Sequence, residues 1–315
     1  MKKLFLFLIS ISFLSSCIKW EESDFQKEIN FQNQALATYI STNKINAIKS
    51  GVGFYFEKIE EKPLANRLVL NDTIGIYYEI KTLKGDVVES YLDENLPPRI
   101  YVYAEGALVP KGLNYATPLA KEGEVFKLYL PSYLAFDGYT SPQLFQANEQ
   151  FEITVKFAKV LHAQEIKIME DKLMQEYLQK NKLEGFVKQE DGIFLKINSS
   201  NSGETPISVS GNLITFNYSL TQLGESIPVL ESATGNYQIV LGSNNNLEFV
   251  NSVLKDVKKG FEVEALVPSH LAFGATLQVL PFQIRRDLIR NGLVPITVRP
   301  FEPTLFKVSI LDVKK

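Results

Sequence analysis

The stretch Lys121-Glu122-Gly123 followed by Leu130-Pro131-Ser132-Tyr133-Leu134-Ala135-Phe136 recurs, 137 residues later, as Lys258-Lys259-Gly260 followed by Val267-Pro268-Ser269-His270-Leu271-Ala272-Phe273. Other matches keep the same order. Tyr39, Asn43, Lys44 and Ile45 return as Tyr177, Asn181, Lys182 and Leu183, and Ile59, closing the strand-like run 54–59, returns as Ile197, each shifted by 138. Several separated matches at nearly one offset indicate a tandem duplication. The chain length of 315 residues agrees, since ~100–200 is usual for one domain and two packed units with ample core are expected.

Working outward, each copy begins with a helical stretch. In the second, Ile166, Met169, Leu173, Tyr177 and Leu178 recur at three- and four-residue spacing, and Gly185 stands where a cap would end the helix. Residues 162–185 are therefore expected to form a linker helix whose apolar stripe packs in the core or between units. After each helix come short segments such as 73–80 and 150–157 in which apolar and polar residues largely alternate, the pattern of strands with one buried face. Residues 107–121 and 246–259 read as one short helix per copy. One helix against an antiparallel sheet, twice, is an α+β architecture. The expected units are residues 26–161, with the N-terminal helix, and 186–315.

Composition narrows the function. With 45% hydrophobic, 22% charged and 11% aromatic residues, the chain is ordinary globular material. A net charge of −3 and a pI near 5.7 remove the driving force for nucleic-acid binding. One Cys and two His exclude a disulfide framework and speak against a protein-held metal; His162 and His270 have no ligand-type neighbours at metal spacing. No phosphate loop, zincin motif or nucleophile elbow is present, and no cofactor is expected.

The N-terminus gives a location. Met1-Lys2-Lys3 precedes a greasy run from Leu4 to Leu14, too short for a bilayer span, and then Ser15-Ser16-Cys17. Leu14-Ser15-Ser16-Cys17 resembles a bacterial lipobox. The resemblance implies a signal peptide over 1–16, a lipidated Cys17 on a tether over 17–25, and an outer-membrane lipoprotein of the cell envelope. The following Ile18-Lys19-Trp20-Glu21-Glu22 is similar to the signals that send lipoproteins of Bacteroidetes-like bacteria to the cell surface, and a solvated tether is the alternative, so periplasmic and surface facing both stay open.

The doubled Pro-Ser string resembles the "iP-x-x-lAYG" segment of the FKBP-type peptidyl-prolyl cis-trans isomerases. Residues 306–314, Phe-Lys-Val-Ser-Ile-Leu-Asp-Val-Lys, resemble that family's closing strand, and Tyr78 followed by Lys84-Gly85-Asp86 and Val88-Glu89-Ser90 is similar to its "Y-x-g-x-l-x-x-G-x-x-F-D-S" block. The resemblance covers nearly all of 50–161 and 190–315. It implies two tandem FKBP-like domains and an apolar prolyl pocket in each. In the first copy the pocket positions fall on Tyr78, Glu89 and Phe136, assigned the catalytic part, with Val88, Val109, Leu113 and Ile153 as substrate-binding lining. In the second they fall on Tyr218, Ile227, Leu247, Val250, Phe273 and Phe306. The family's usual Phe, Asp, aromatic floor and hydrogen-bonding Tyr are replaced by Val88, Glu89, Leu113 and Phe136, and in the second copy the Asp position falls on Pro228. Retention of Glu89 favours the first copy for activity. In both copies these side chains have a plain alternative as core filling.

Two functions follow as expectations: an isomerase or folding chaperone acting on proline-containing exported polypeptides, or a catalytically degenerate scaffold beside an outer-membrane protein complex. The copies differ in one connection. Phe136 to Ile153 spans 17 positions and Phe273 to Phe306 spans 33, the excess lying in an enlarged loop over 275–303 that includes the basic amphipathic run 282–290. That loop is expected to clamp a client, dock on a partner, or pack on its own domain.

Overall fold

The computed structural model describes residues 23–199, 205–232, 236–294 and 298–315. The expected signal peptide, Cys17 and the start of the tether fall outside these residues.

Helix α1 (Asp24–Thr42) is capped by Ser23, whose side chain accepts from the Gln26 N–H at 3.2 Å. It buries Gln32, Leu36 and Ile40, one residue per turn. An antiparallel sheet follows, in the order Ile48–Lys49, Tyr55–Glu60, Val125–Leu130, Phe151–Val160 and Thr73–Thr82, with Val87–Tyr91 and Arg99–Val102 both pairing on the far side of Thr73–Thr82. The expected helix over 107–121 is shorter in the structure: α2 spans Lys111–Ala116 and tightens into a 3₁₀ turn over Thr117–Leu119. Pro110 precedes its first turn, where no N–H is needed, and Pro118 cannot continue the ladder.

Helix α3 (Ala163–Lys180) begins with a box in which the Glu165 side chain accepts from the His162 N–H at 2.9 Å, and it buries Ile166, Glu170 and Met174. A second antiparallel sheet repeats the first. Its order is Val187–Lys188, Phe194–Asn198, Glu262–Val267, Thr304–Lys314 and Leu213–Gln222, with Leu230–Glu231 and Tyr237–Val240 flanking the last. Helix α4 spans only Glu248–Val253 of the expected 246–259. The registers match: Tyr78 faces Val155 and Ile80 faces Ile153 in one sheet, as Tyr218 faces Val308 and Leu220 faces Phe306 in the other.

The long helices bind their sheets alike. Gln32 Oε1 accepts the Ser132 N–H at 2.8 Å, and Glu170 Oε2 accepts the Ser269 N–H at 2.8 Å. Each helix thus grips the Pro-Ser turn of its copy. One turn earlier along α3, Ile166 and Met169 pack with Ile100, Leu161 and Phe301, bridging the two sheets.

The enlarged loop over 275–303 reaches beyond its own domain. Its two parts go different ways: Val298 packs in the core of its own sheet, while the stretch before it inserts into the first copy. Gln278–Val279 pairs in parallel with Leu108–Val109 of the first copy, after which come a 3₁₀ turn over Phe282–Ile284 and helix α5 (Arg285–Arg290). Val279, Leu280, Ile284 and Leu288 belong to one continuous apolar core with Tyr78, Val88, Leu113 and Phe136. The Val109–Pro110 and Leu280–Pro281 peptides are cis. Among the described residues, no helix is long and apolar enough to cross a membrane.

Candidate functional site

In the first copy the structure brings most of the expected residues together. Tyr78 and Ile153 sit on adjacent strands, Val88 on the flanking strand, Leu113 on α2 and Phe136 just after the Pro-Ser turn. Tyr78, Leu113 and Ile153 have no exposed surface, Val88 and Phe136 very little, and Val109 is half-buried at the edge. The Tyr78 hydroxyl donates to Glu89 Oε1. Burial, reinforced by the Glu89 carboxylate, pushes the Tyr78 hydroxyl well above its ordinary value, so it stays a donor. Sequence reasoning missed Phe145 and Phe151. Phe145 stacks on Phe136 with centroids 4.8 Å apart, and Phe151 meets Phe136 edge-on at 5.0 Å. Their signal was the aromatic spacing within the short connection after Phe136.

This hollow is full. Its occupant comes from the other copy. The Gln278 N–H donates to Ala107 O and the Leu280 N–H to Val109 O, both at 2.9 Å. Pro281 is buried, and the Phe282 N–H donates to Glu89 Oε2 at 2.6 Å. Glu89 therefore joins the Tyr78 hydroxyl and the inserted backbone. Gln278 Nε2 adds a bond to Ile100 O at 3.1 Å, and the Tyr139 hydroxyl reaches Asp287 Oδ2 at 3.3 Å. The first copy, favoured on sequence for its acid, has no room left for an external chain while this segment is seated.

The second copy is the reverse. A cavity of about 200 Å³ opens between Tyr218, Leu230, Tyr237, Leu247, Val250, Phe273 and Phe306. Its floor is aromatic: Phe249 meets Phe306 edge-on at 5.1 Å, and Tyr218 meets Tyr237 edge-on at 5.4 Å. The rim is in contact with solvent, Tyr237 being 50% and Leu247 41% exposed. Asn246 braces one edge by donating to Val240 O and Asn251 Oδ1, each at 2.8 Å. The difference between the copies follows from the unequal connections. In the first, the loop after Phe136 folds back and lays Phe145 over the hollow. In the second, residues 278–288 of the corresponding loop leave for the other copy.

One expected lining residue is misplaced. Ile227 lies 56% exposed on the turn before the flanking strand, where Arg286 Nη2 donates to its carbonyl at 2.8 Å. The ladder explains the error. Glu89 faces Ile80, and the residue facing the equivalent Leu220 is Leu230. The counterpart of Glu89 is thus Leu230, not Pro228, because the turn of the second copy carries the strand further along before pairing begins. The second cavity has an aliphatic side chain where the first has a carboxylate.

A larger space of about 520 Å³ lies between the copies, bordered by Tyr91, Arg99, Glu225, Arg299 and Glu302. It is a junction of ion pairs. Arg99 and Arg299 each lie 2.7 Å from Glu302, and Arg299 also meets Glu225 at 3.2 Å. Arg99 stacks 4.3 Å over Tyr91 and Arg299 stacks 4.1 Å over Phe282. Arg285, donating to Gln222 Oε1 at 2.7 Å, is held down to about 10 by burial and by neighbouring Arg299. These groups join the inserted loop to the sheet that carries it. Among the described residues, no group of His, Cys, Asp and Glu could hold a metal ion.

No protein-family model matches the sequence, and no curated protein matches it. Among solved structures, the chain is similar to the three FKBP domains of wheat FKBP73, with 14% identity over 84% of this chain and 95% of that one and a TM-score of 0.31. It is similar to a peptidyl-prolyl cis-trans isomerase from Pseudomonas syringae pv. tomato, with 12% identity over 45% and 99% of the two chains and a TM-score of 0.36. It is also similar to FkpA from Escherichia coli, with 21% identity over 46% and 59% and a TM-score of 0.32.

Proposed function

We propose that this chain is a tandem FKBP-type protein of the cell envelope, anchored through lipidated Cys17, that grips proline-containing segments of exported polypeptides in the second copy. The observation that carries the reading is the open, aromatic-floored cavity at Tyr218, Val250, Phe273 and Phe306, at the positions the sequence resemblance assigns to a prolyl pocket.

The chemistry asks for little else. Rotation about an X-Pro bond faces a barrier of ~18–20 kcal/mol set by amide resonance. The twisted imide has lost that resonance, so a water-poor apolar hollow that holds the ring and favours the twisted form lowers the barrier without acid, base or nucleophile. Every 1.36 kcal/mol of such preference is worth about tenfold in rate. A cavity of about 200 Å³ is of the size for one ring and part of the preceding side chain. Leu230 in place of a carboxylate leaves the second copy dependent on shape and desolvation.

Exchange NMR on an Ala-Leu-Pro-Phe peptide tests this reading. The full chain is expected to accelerate cis-trans exchange, and Val250→Trp, which fills the cavity, to abolish the effect. No acceleration by the intact protein, with no binding of the peptide, would defeat the reading. The closed first hollow favours a second one: an adaptor beside an outer-membrane assembly. Affinity isolation from native membranes then recovers partner proteins, and recovery of the lipoprotein alone counts against it.

A further inference from the structure

We infer that residues 277–288 act as a tethered ligand, so that the first copy holds a latent peptide site which the chain itself keeps occupied. The inference rests on reading the two hollows as prolyl-peptide sites. Four observations converge on it. The segment adds to the Leu108–Val109 edge as a short parallel strand, the way an external peptide is bound by backbone addition. Pro281 is buried, flanked by the Leu280 bond to Val109 O and the Phe282 bond to Glu89 Oε2. Leu280 and Pro281 thus meet the hollow as an apolar-Pro peptide, while Phe282 contributes its N–H to Glu89 and lays its ring under Arg299. Both ends of the seated stretch return to water: Ala275 is exposed, and so are Asn291, Gly292 and Leu293. Finally, the equivalent cavity of the second copy receives no such segment among the described residues.

The ligand class follows from the occupant. An extended chain with an aliphatic residue followed by proline, and a backbone N–H at the next position, would satisfy the Ala107 and Val109 carbonyls and Glu89. An internal segment on a short tether has an effective concentration in the millimolar range or above. A free peptide at micromolar concentration cannot compete with it, and the site stays silent until the segment is unseated.

The test uses a synthetic peptide with the sequence of residues 277–284, in chains carrying Val250→Trp so that the second cavity contributes nothing. Replacing 277–290 by a Gly-Ser linker of equal length is expected to create one binding site, at least ~100-fold tighter than any binding to the chain that keeps the segment. Adding Glu89→Ala to that variant should weaken binding about tenfold or more, since a part-buried carboxylate acceptor is lost. Equal binding by both chains, or none by a linker variant that retains its sheet signals, overturns the inference. A second measurement needs no variant loop: in the chain with 277–290 intact, the peptide at several millimolar should speed hydrogen exchange at residues 278–284. Unchanged exchange across that range overturns the inference as well. Because Val250→Trp silences the second cavity, a failure of the proposed function leaves these outcomes readable.

Discussion

Leu280→Ala separates sequence position from structural address. Leu280 lies in the second copy of the sequence but is 1% exposed within the core of the first sheet. Its backbone bond to Val109 O survives the change, so the loss is confined to the side chain: removed apolar contact plus whatever cavity the neighbours fail to close. Truncations of this kind cost about 2–5 kcal/mol. At 1.36 kcal/mol per decade, opening of the structure that depends on Leu280 should become about 30-fold to several-thousand-fold more frequent. Hydrogen exchange followed by mass spectrometry reads this strand by strand. Protection should fall in Thr73–Thr82 and Phe151–Val160, more than 100 residues away in sequence, and less in Leu213–Gln222 and Thr304–Lys314. Val263→Ala, in the second core, should give the opposite pattern. If Leu280→Ala loosened only the second sheet, the loop would not be seated where it is drawn.

Glu89→Ala leaves the Tyr78 hydroxyl and the Phe282 N–H without their acceptor, costing about 1–3 kcal/mol each. Glu89→Gln keeps one carbonyl oxygen and should lose about half as much; equal denaturation midpoints for the two variants would remove Glu89 from the seat. Glu170 presents a pH dependence. Burial pushes its carboxyl up, against the lowering pull of the two Ser269 donors. A raised folded value means that the protonated form is the one the fold favours, so its contribution is present at low pH and lost as pH rises through the folded value. Glu170→Gln should therefore match the parent chain near pH 4 and exceed it in urea midpoint near pH 8. Gln32 already serves the same turn in the first copy. Parallel curves for parent and variant would contradict the assignment.

Much of the scaffold was legible because its causes are local. Strand alternation, a short helix within 107–121 and the duplicated Pro-Ser turn each depend on neighbours within a few residues. Tyr78, Leu113, Phe136 and Ile153 could be grouped because the resemblance supplied a frame for residues far apart in sequence. Ile227 was misplaced because ladder register depends on how a turn closes, and a slip of two residues preserves the apolar pattern while changing the neighbours. The seat of 277–288 was illegible for a different reason. It joins Val279 to Val109 across most of the chain, and no periodicity records such a pairing. One trace was present: an aliphatic-Leu-Pro-Phe string at 279–282 inside a loop too long for its neighbours.

That seat fixes an order of assembly. Residues 73–160 are synthesised before 279–288, so the first sheet must wait, its centre unfilled and its apolar wall wet, until that later segment arrives. A truncated product ending at α3 would carry an unsealed greasy pit, and only a chain that reaches Leu288 can hide it. Arrival of residues 279–288 is thereby written into the interior of a part made well before them.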